Sequence, residues 1–169
     1  MIRQRGDPGW WAAKVRRVRS YLGARVLEAD LALVAHVLSP AQLGLFRTMH
    51  PADQRHGLDV LAALRAEGAT EPDLLVAGLL HDAGKGPTGL WPRVTHSLGQ
   101  AYGPWIPRLA RHIPGFADSL DRLADHPQAS ARLAAEAGCS QRTIDLIRWQ
   151  DDPLDAELGR LLRLADEAS

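Results

Sequence analysis

The stretch Gly78-Leu79-Leu80-His81-Asp82-Ala83-Gly84-Lys85-Gly86 decides how the chain is read. It closes an apolar run in which Leu74, Leu75, Val76, Leu79 and Leu80 leave no polar face, the mark of a helix buried on all sides. Glu71-Pro72-Asp73 opens that helix. Proline is tolerated in a first turn, where its missing N–H would find no partner in any case, and acidic groups suit the positive end of the helix dipole. Gly84 is the expected terminator. A histidine and an aspartate side by side at the end of so apolar a helix need a reason, because an unpaired buried charge is costly. Imidazole nitrogen and carboxylate oxygen together are donors for a divalent ion, but two adjacent ligands cannot close a site. Further donors must come from elsewhere in the chain.

Toward the N-terminus, Leu58, Leu61, Ala62 and Leu64 set a 3.6-residue stripe that Gly68 closes, which places His56 in the first half of a buried helix. Before it, residues 27–38 and 41–49 read as two helices separated by Ser39-Pro40, a serine N-cap followed by a first-turn proline. His36 falls on the apolar side of the first of these and is expected to be a satisfied core histidine. Trp10, Trp11, Val15, Val18 and Leu22 recur at helical spacing among arginines, an amphipathic helix behind a loose tail of residues 1–9.

Toward the C-terminus, residues 86–89 read as a loop. Pro92, Pro104, Pro107 and Pro114 predict short helices broken by turns up to Asp125. Asp125-His126-Pro127 reads as a helix start, with Ala131, Leu133, Ala134 and Ala137 on its apolar side. Ser140 caps the next helix, in which Ile144, Ile147 and Trp149 recur, and Asp152-Pro153 breaks it. A leucine-rich helix from about Leu154 carries Asp166 at its end. No segment alternates with period two for long enough to be a strand, and no internal repeat is present. The expected fold is all-α, a compact single-domain helical bundle with an extra N-terminal helical segment over residues 10–50.

Composition agrees. The 169 residues suit one domain; 46% are hydrophobic, 24% are charged, and the formal net charge is zero. No stretch approaches the roughly 18 uninterrupted apolar residues of a membrane span, and the start of the chain has no apolar leader, so a cytoplasmic protein with no membrane partner is expected. The basic residues Arg3, Arg5, Lys14, Arg16, Arg17, Arg19 and Arg25 cluster at one end, but no aromatic-and-glycine motif accompanies them, and nucleic acid is not the expected partner. The lone Cys139 lacks CxxC spacing and reads as a packing residue.

His56, His81, Asp82 and Asp166 are thus ligand-type residues in or beside apolar helices. Two imidazoles and two carboxylates would neutralise a divalent ion and leave positions for water and substrate, as a hydrolytic site requires.

That ordered set resembles the HD-domain metal-dependent phosphohydrolases. Arg55-His56-Gly57-Leu58-Asp59-Val60 is similar to the family's first-histidine helix, residues 79–86 to its central motif, and Leu164-Ala165-Asp166 to its terminal aspartate segment. His126-Pro127-Gln128-Ala129-Ser130-Ala131 is similar to the segment in which binuclear members supply another histidine. The resemblance spans residues 51–169 and implies an HD-type domain there. It implies a hydrolase that cleaves a phosphate ester or anhydride of a small, nucleotide-like substrate by a metal-activated water. His56, His81, Asp82 and Asp166 would hold one divalent ion, with Mn, Fe, Co, Mg, Ni and Zn not distinguished. Asp82 or Asp166 would orient the water or take its proton; Lys85, Arg55 and Arg148 would meet the phosphate. Where binuclear relatives offer further histidines this chain reads Trp149-Gln150, so a second metal is doubtful, and His126 stands beside the first ion or at a weak second position. Asp151, His112 or His96 could compensate there; otherwise both histidines read as structural or solvent-facing. The alternative is an HD-type metal- or nucleotide-sensing module without turnover; a purely structural helical module ranks last.

Overall fold

Capping chemistry sets the first boundaries. The computed structural model describes residues 25–169, so the expected tail and the helix from Trp10 lie outside the described residues. Helix α1 (Glu28–Ala35) gives way to α2 (Pro40–Thr48), at whose start Ser39 Oγ accepts from the Gln42 N–H at 3.4 Å while the Ser39 N–H donates to Gln42 Oε1 at 2.9 Å. Then come α3 (Pro51–Ala66) and α4 (Pro72–Leu80), a single 3-10 turn at Ala83–Lys85, α5 (Leu90–Tyr102) and α6 (Trp105–Ala110). The long α7 (Phe116–Glu136), α8 (Gln141–Arg148) and α9 (Leu158–Ala168) complete the chain. The described residues are all-helical, without a strand, and none of their helices is long and apolar enough to cross a membrane.

Helix α4 is the centre, as its all-apolar surface requires: Leu74, Ala77, Leu79 and Leu80 are fully buried, and α3, α8 and α9 pack around it. Phe46, Leu61, Leu64, Ile147 and Leu162 complete the same cluster, to which α1 and α2 add Val34, Leu38 and Met49. Helices α3 and α4 approach closely because two positions carry no side chain. A Cβ on Gly57 would lie 2.8 Å from the Leu79 carbonyl oxygen, and one on Gly78 would lie 2.9 Å from Leu64 Cδ1. Gly57 follows His56 and Gly78 precedes His81 by one turn, so the same contact draws the two histidines together.

Four expectations need correction. Asp125-His126-Pro127 does not start a helix: α7 runs unbroken from Phe116 to Glu136 with Pro127 buried inside it. An internal proline costs one backbone hydrogen bond, and here His126 itself takes up the carbonyl that is released. The last helix begins at Leu158 rather than near Leu154, which is 72% exposed; Asp155 Oδ1 accepts from the Glu157 and Leu158 N–H groups at 3.0 and 2.8 Å and so starts it later. His36 is exposed at the end of α1 rather than in the core. Gly84 is no left-handed terminator: the positive φ, +58°, belongs to Gly86, and Gly84 matters through close approach to α7.

Candidate metal centre

The site lies at the C-terminal end of α4, where the helix runs out of backbone donors. There the Gly78 carbonyl accepts from His81 Nδ1 at 3.0 Å. With the proton on Nδ1, the lone pair of Nε2 faces inward, the arrangement that prepares a histidine for a metal. His81 is buried, and its Nε2 has no hydrogen-bond partner, standing 3.5 Å from Asp82 Oδ1 and 3.6 Å from Asp166 Oδ1. Buried polar atoms rarely go unsatisfied, and a cation between this nitrogen and the two carboxylates would satisfy it.

Helix α3 brings in His56, whose Nε2 lies 2.7 Å from Asp166 Oδ1 and 3.9 Å from Asp82 Oδ2. Its ring meets that of His81 edge to face, with centroids 5.2 Å apart. Helix α9 delivers Asp166 from the far end of the sequence, held through buried Leu158, Leu162 and Ala165. One ligand atom from each of His56, His81 and Asp166 falls within 4.8 Å of the others, so this group could hold a metal ion. The donor set of two imidazoles and a carboxylate fits a divalent first-row ion. Asp82 adjoins the group, and Asp166 is its more open member, with 38% of its side chain exposed against 2% for Asp82.

The charges are interdependent. Burial alone would raise the Asp82 pKa, but His81, Lys85, His56 and His126 together hold its carboxyl well below the usual range. Burial likewise opposes charging of His81, yet the Asp82 and Asp166 carboxylates outweigh it and leave its pKa raised. For His126 the balance runs the other way: burial and the Lys85 ammonium lower it despite Asp82.

A second set of groups reaches the same two oxygens of Asp82 from the 3-10 turn and α7. The 3-10 turn places the Lys85 ammonium directly on Asp82 Oδ2. The turn can sit against α7 because Gly84 has no side chain: a Cβ there would be 2.5 Å from the Ser130 nitrogen and 2.6 Å from the His126 carbonyl oxygen. Instead the Gly84 N–H donates to Ser130 Oγ at 2.8 Å. His126 approaches from α7 with Nε2 3.6 Å from Asp82 Oδ1. Pro127 has no N–H for the Leu123 carbonyl one turn back, and His126 Nδ1 donates to that oxygen at 2.7 Å. His126 and His81 are therefore oriented by the same device, a carbonyl freed by a helix irregularity. The buried Gln150 amide, Nε2, donates toward the His81 carbonyl at 3.4 Å and His126 Nε2 at 3.5 Å. Trp149 is 39% exposed beside it.

Not every nominated residue joins the centre. Arg55 is held by Asp59, through Nε at 3.1 Å and Nη2 at 2.9 Å, and by Asp30 at 3.3 Å. Arg148 lies 3.9 Å from Asp145 on α8. His112 and Asp151 are exposed, and His96 Nε2 lies 3.3 Å from Gln100 Nε2. Sequence reading gave Gly57 and Ser130 no role; an HisGly pair and a mid-helix serine carry no local signal for their inter-helix contacts.

No family model, no curated protein and no solved structure matches the chain.

Proposed function

We propose that the protein is a metal-dependent phosphohydrolase of the HD-domain type, acting in the cytoplasm on a phosphate ester or anhydride of a nucleotide-like substrate. The observation that carries this reading is the convergence of ligand atoms from His56, His81 and Asp166 within 4.8 Å, beside a buried carboxylate and an ammonium. When bound, a divalent ion supplies a water that ionises near neutral pH and a Lewis acid for a phosphoryl oxygen. His56, His81 and Asp166 would hold that ion, with Asp82, which adjoins them, as a fourth ligand. Asp166, the more open carboxylate, orients the attacking water and accepts its proton. Lys85 neutralises charge on the phosphate oxygens, as a compact ammonium does without bidentate geometry. Arg55 and Arg148 contribute little, because their nearest charged partners are carboxylates outside the centre.

Protein stripped with chelator and reloaded with manganese, iron, cobalt or magnesium is expected to bind close to one ion per chain and to hydrolyse a member of a phosphoester panel. The His81→Ala, Asp82→Ala double variant is expected to lose both properties. Unchanged hydrolysis in that variant would sink the reading. A second reading, a sensor that binds a nucleotide without turnover, draws on the Gln150 amide bonded to His126 Nε2. Saturable binding by metal-loaded protein that never yields product would favour it.

A further inference from the structure

Away from the candidate metal centre, a buried carboxylate is bonded twice by a guanidinium forty positions along the chain. Asp53, 4% exposed in the first turn of α3, accepts both guanidinium nitrogens of Arg93: Nη1 to Oδ1 at 2.6 Å and Nη2 to Oδ2 at 2.8 Å. Arg93, in the first turn of α5, donates a third bond from Nε to the Thr88 carbonyl at 3.1 Å. Thr88 is itself buried, and its Oγ1 donates to the Lys85 carbonyl at 2.5 Å while its N–H donates to the Gly86 carbonyl at 2.8 Å. Lys85 then places its ammonium on Asp82.

An unbroken chain of bonds thus runs from the helix of His56, through a guanidinium and a loop, to the cation at the centre. A buried ion pair returns little net stability, because desolvation cancels most of the attraction. Its directional value is larger: a planar fork fixes both partners in one relative orientation, which a lysine in place of Arg93 could not do. Asp53 precedes His56 by three residues on the same helix, so the fork references the loop to an element that also carries a metal ligand.

We propose that the Asp53–Arg93 pair, acting through Thr88, positions Lys85: it holds residues 86–89 so that the ammonium stays on Asp82. Thr88 bonds the Lys85 carbonyl rather than its ammonium. The consequence of this positioning for turnover, though not the placement itself, rests on the phosphohydrolase reading.

The composition provides a clean readout, because Lys14 and Lys85 are the chain's two lysines among 20 basic residues. Full-length protein labelled with 15N at the lysine ammonium gives resonances assignable with Lys85→Arg. Thr88→Val keeps the side chain's shape and removes its hydroxyl; Arg93→Gln removes the fork without adding a third lysine. In both variants the Lys85 ammonium signal is expected to shift toward that of a solvated lysine and to exchange faster with water, with metal content unchanged. If wild type turns over substrate, kcat/KM is expected to fall about 10- to 100-fold in Thr88→Val. A Lys85 resonance unmoved in the folded Thr88→Val variant overturns the proposal, whatever happens to its melting temperature. A moved resonance in protein that shows no hydrolysis in any form upholds the positioning and overturns the phosphohydrolase reading alone.

Discussion

Asp82 has two differently furnished sets of neighbours. From α3 and the end of α4 it meets His56 and His81, whose donors converge with that of Asp166 on α9 and of which His81 Nε2 has no hydrogen-bond partner. From the 3-10 turn and α7 it meets Lys85 and His126, where the ammonium already pairs with the carboxylate and the Gln150 amide already donates toward the imidazole. Similar residue types approach the same carboxylate in both sets, and in the first His56 Nε2 is already 2.7 Å from Asp166 Oδ1, yet among the described residues only His81 Nε2 is a buried side-chain polar atom without a hydrogen-bond partner. Ligand capacity is set by which lone pairs the neighbours have consumed, rather than by which residues are present.

The strongest way to test this asymmetry is to damage the second set alone. In Gly84→Ala the new methyl meets backbone at 2.5 and 2.6 Å, which no rotamer change relieves. Overpacking of that kind is expected to cost about 3 kcal/mol, measured by chemical denaturation, while the folded variant still binds its ion. Loss of the ion from folded protein would show that the two sets are one unit. Gln150→Ala is expected to cost about 2 kcal/mol, because the His81 carbonyl and His126 Nε2 lose a buried donor. Elemental analysis should still give close to one ion per chain; two ions would break the comparison outright, since the second set would then be a site that Gln150 merely occupies.

The smallest effect is expected at Asp155→Ala, which uncaps α9 at the end opposite Asp166 and is expected to cost about 1 kcal/mol. The Leu158 N–H, with smaller help from the Glu157 N–H and Arg142, holds the Asp155 carboxyl below its ordinary value of 3.8. A depressed folded-state pKa gives stability that is complete above the unfolded value and lost as pH falls through the folded one. The difference between wild type and Asp155→Ala should therefore be constant above about pH 5 and shrink below pH 3.8. Metal affinity should not change, because packing of Leu158, Leu162 and Ala165 holds the helix independently of its cap.

The legible parts of this molecule are those in which one short segment fixes its own environment. His81 could be placed at a buried helix end because the apolar run of α4 stops there, and Ser39 and Ser140 could be identified as caps because serine hydroxyls satisfy first-turn N–H groups. Pro127 misled because its usual effect, ending a helix, is offset here by the neighbouring imidazole on the Leu123 carbonyl. Arg55 adjoins His56 in sequence and its guanidinium would suit a phosphate, yet successive helical residues point about 100° apart, and Asp59 and Asp30 take that guanidinium. Asp53 and Arg93 had no signal at all: a pairing across forty residues is a property of how helices pack, which no local pattern encodes.

Gly57 and Gly78 extend the same lesson to inheritance. Neither owns a donor atom, yet the inter-helix distance they permit decides how far apart the two imidazoles stand. A library of random variants selected for metal retention should thus be about as intolerant at the Gly57 codon, where a Cβ meets backbone, as at those of the ligands, and less so at Gly78, where it meets the end of the Leu64 side chain. Its survivors would trace the binding site partly through positions where nothing binds.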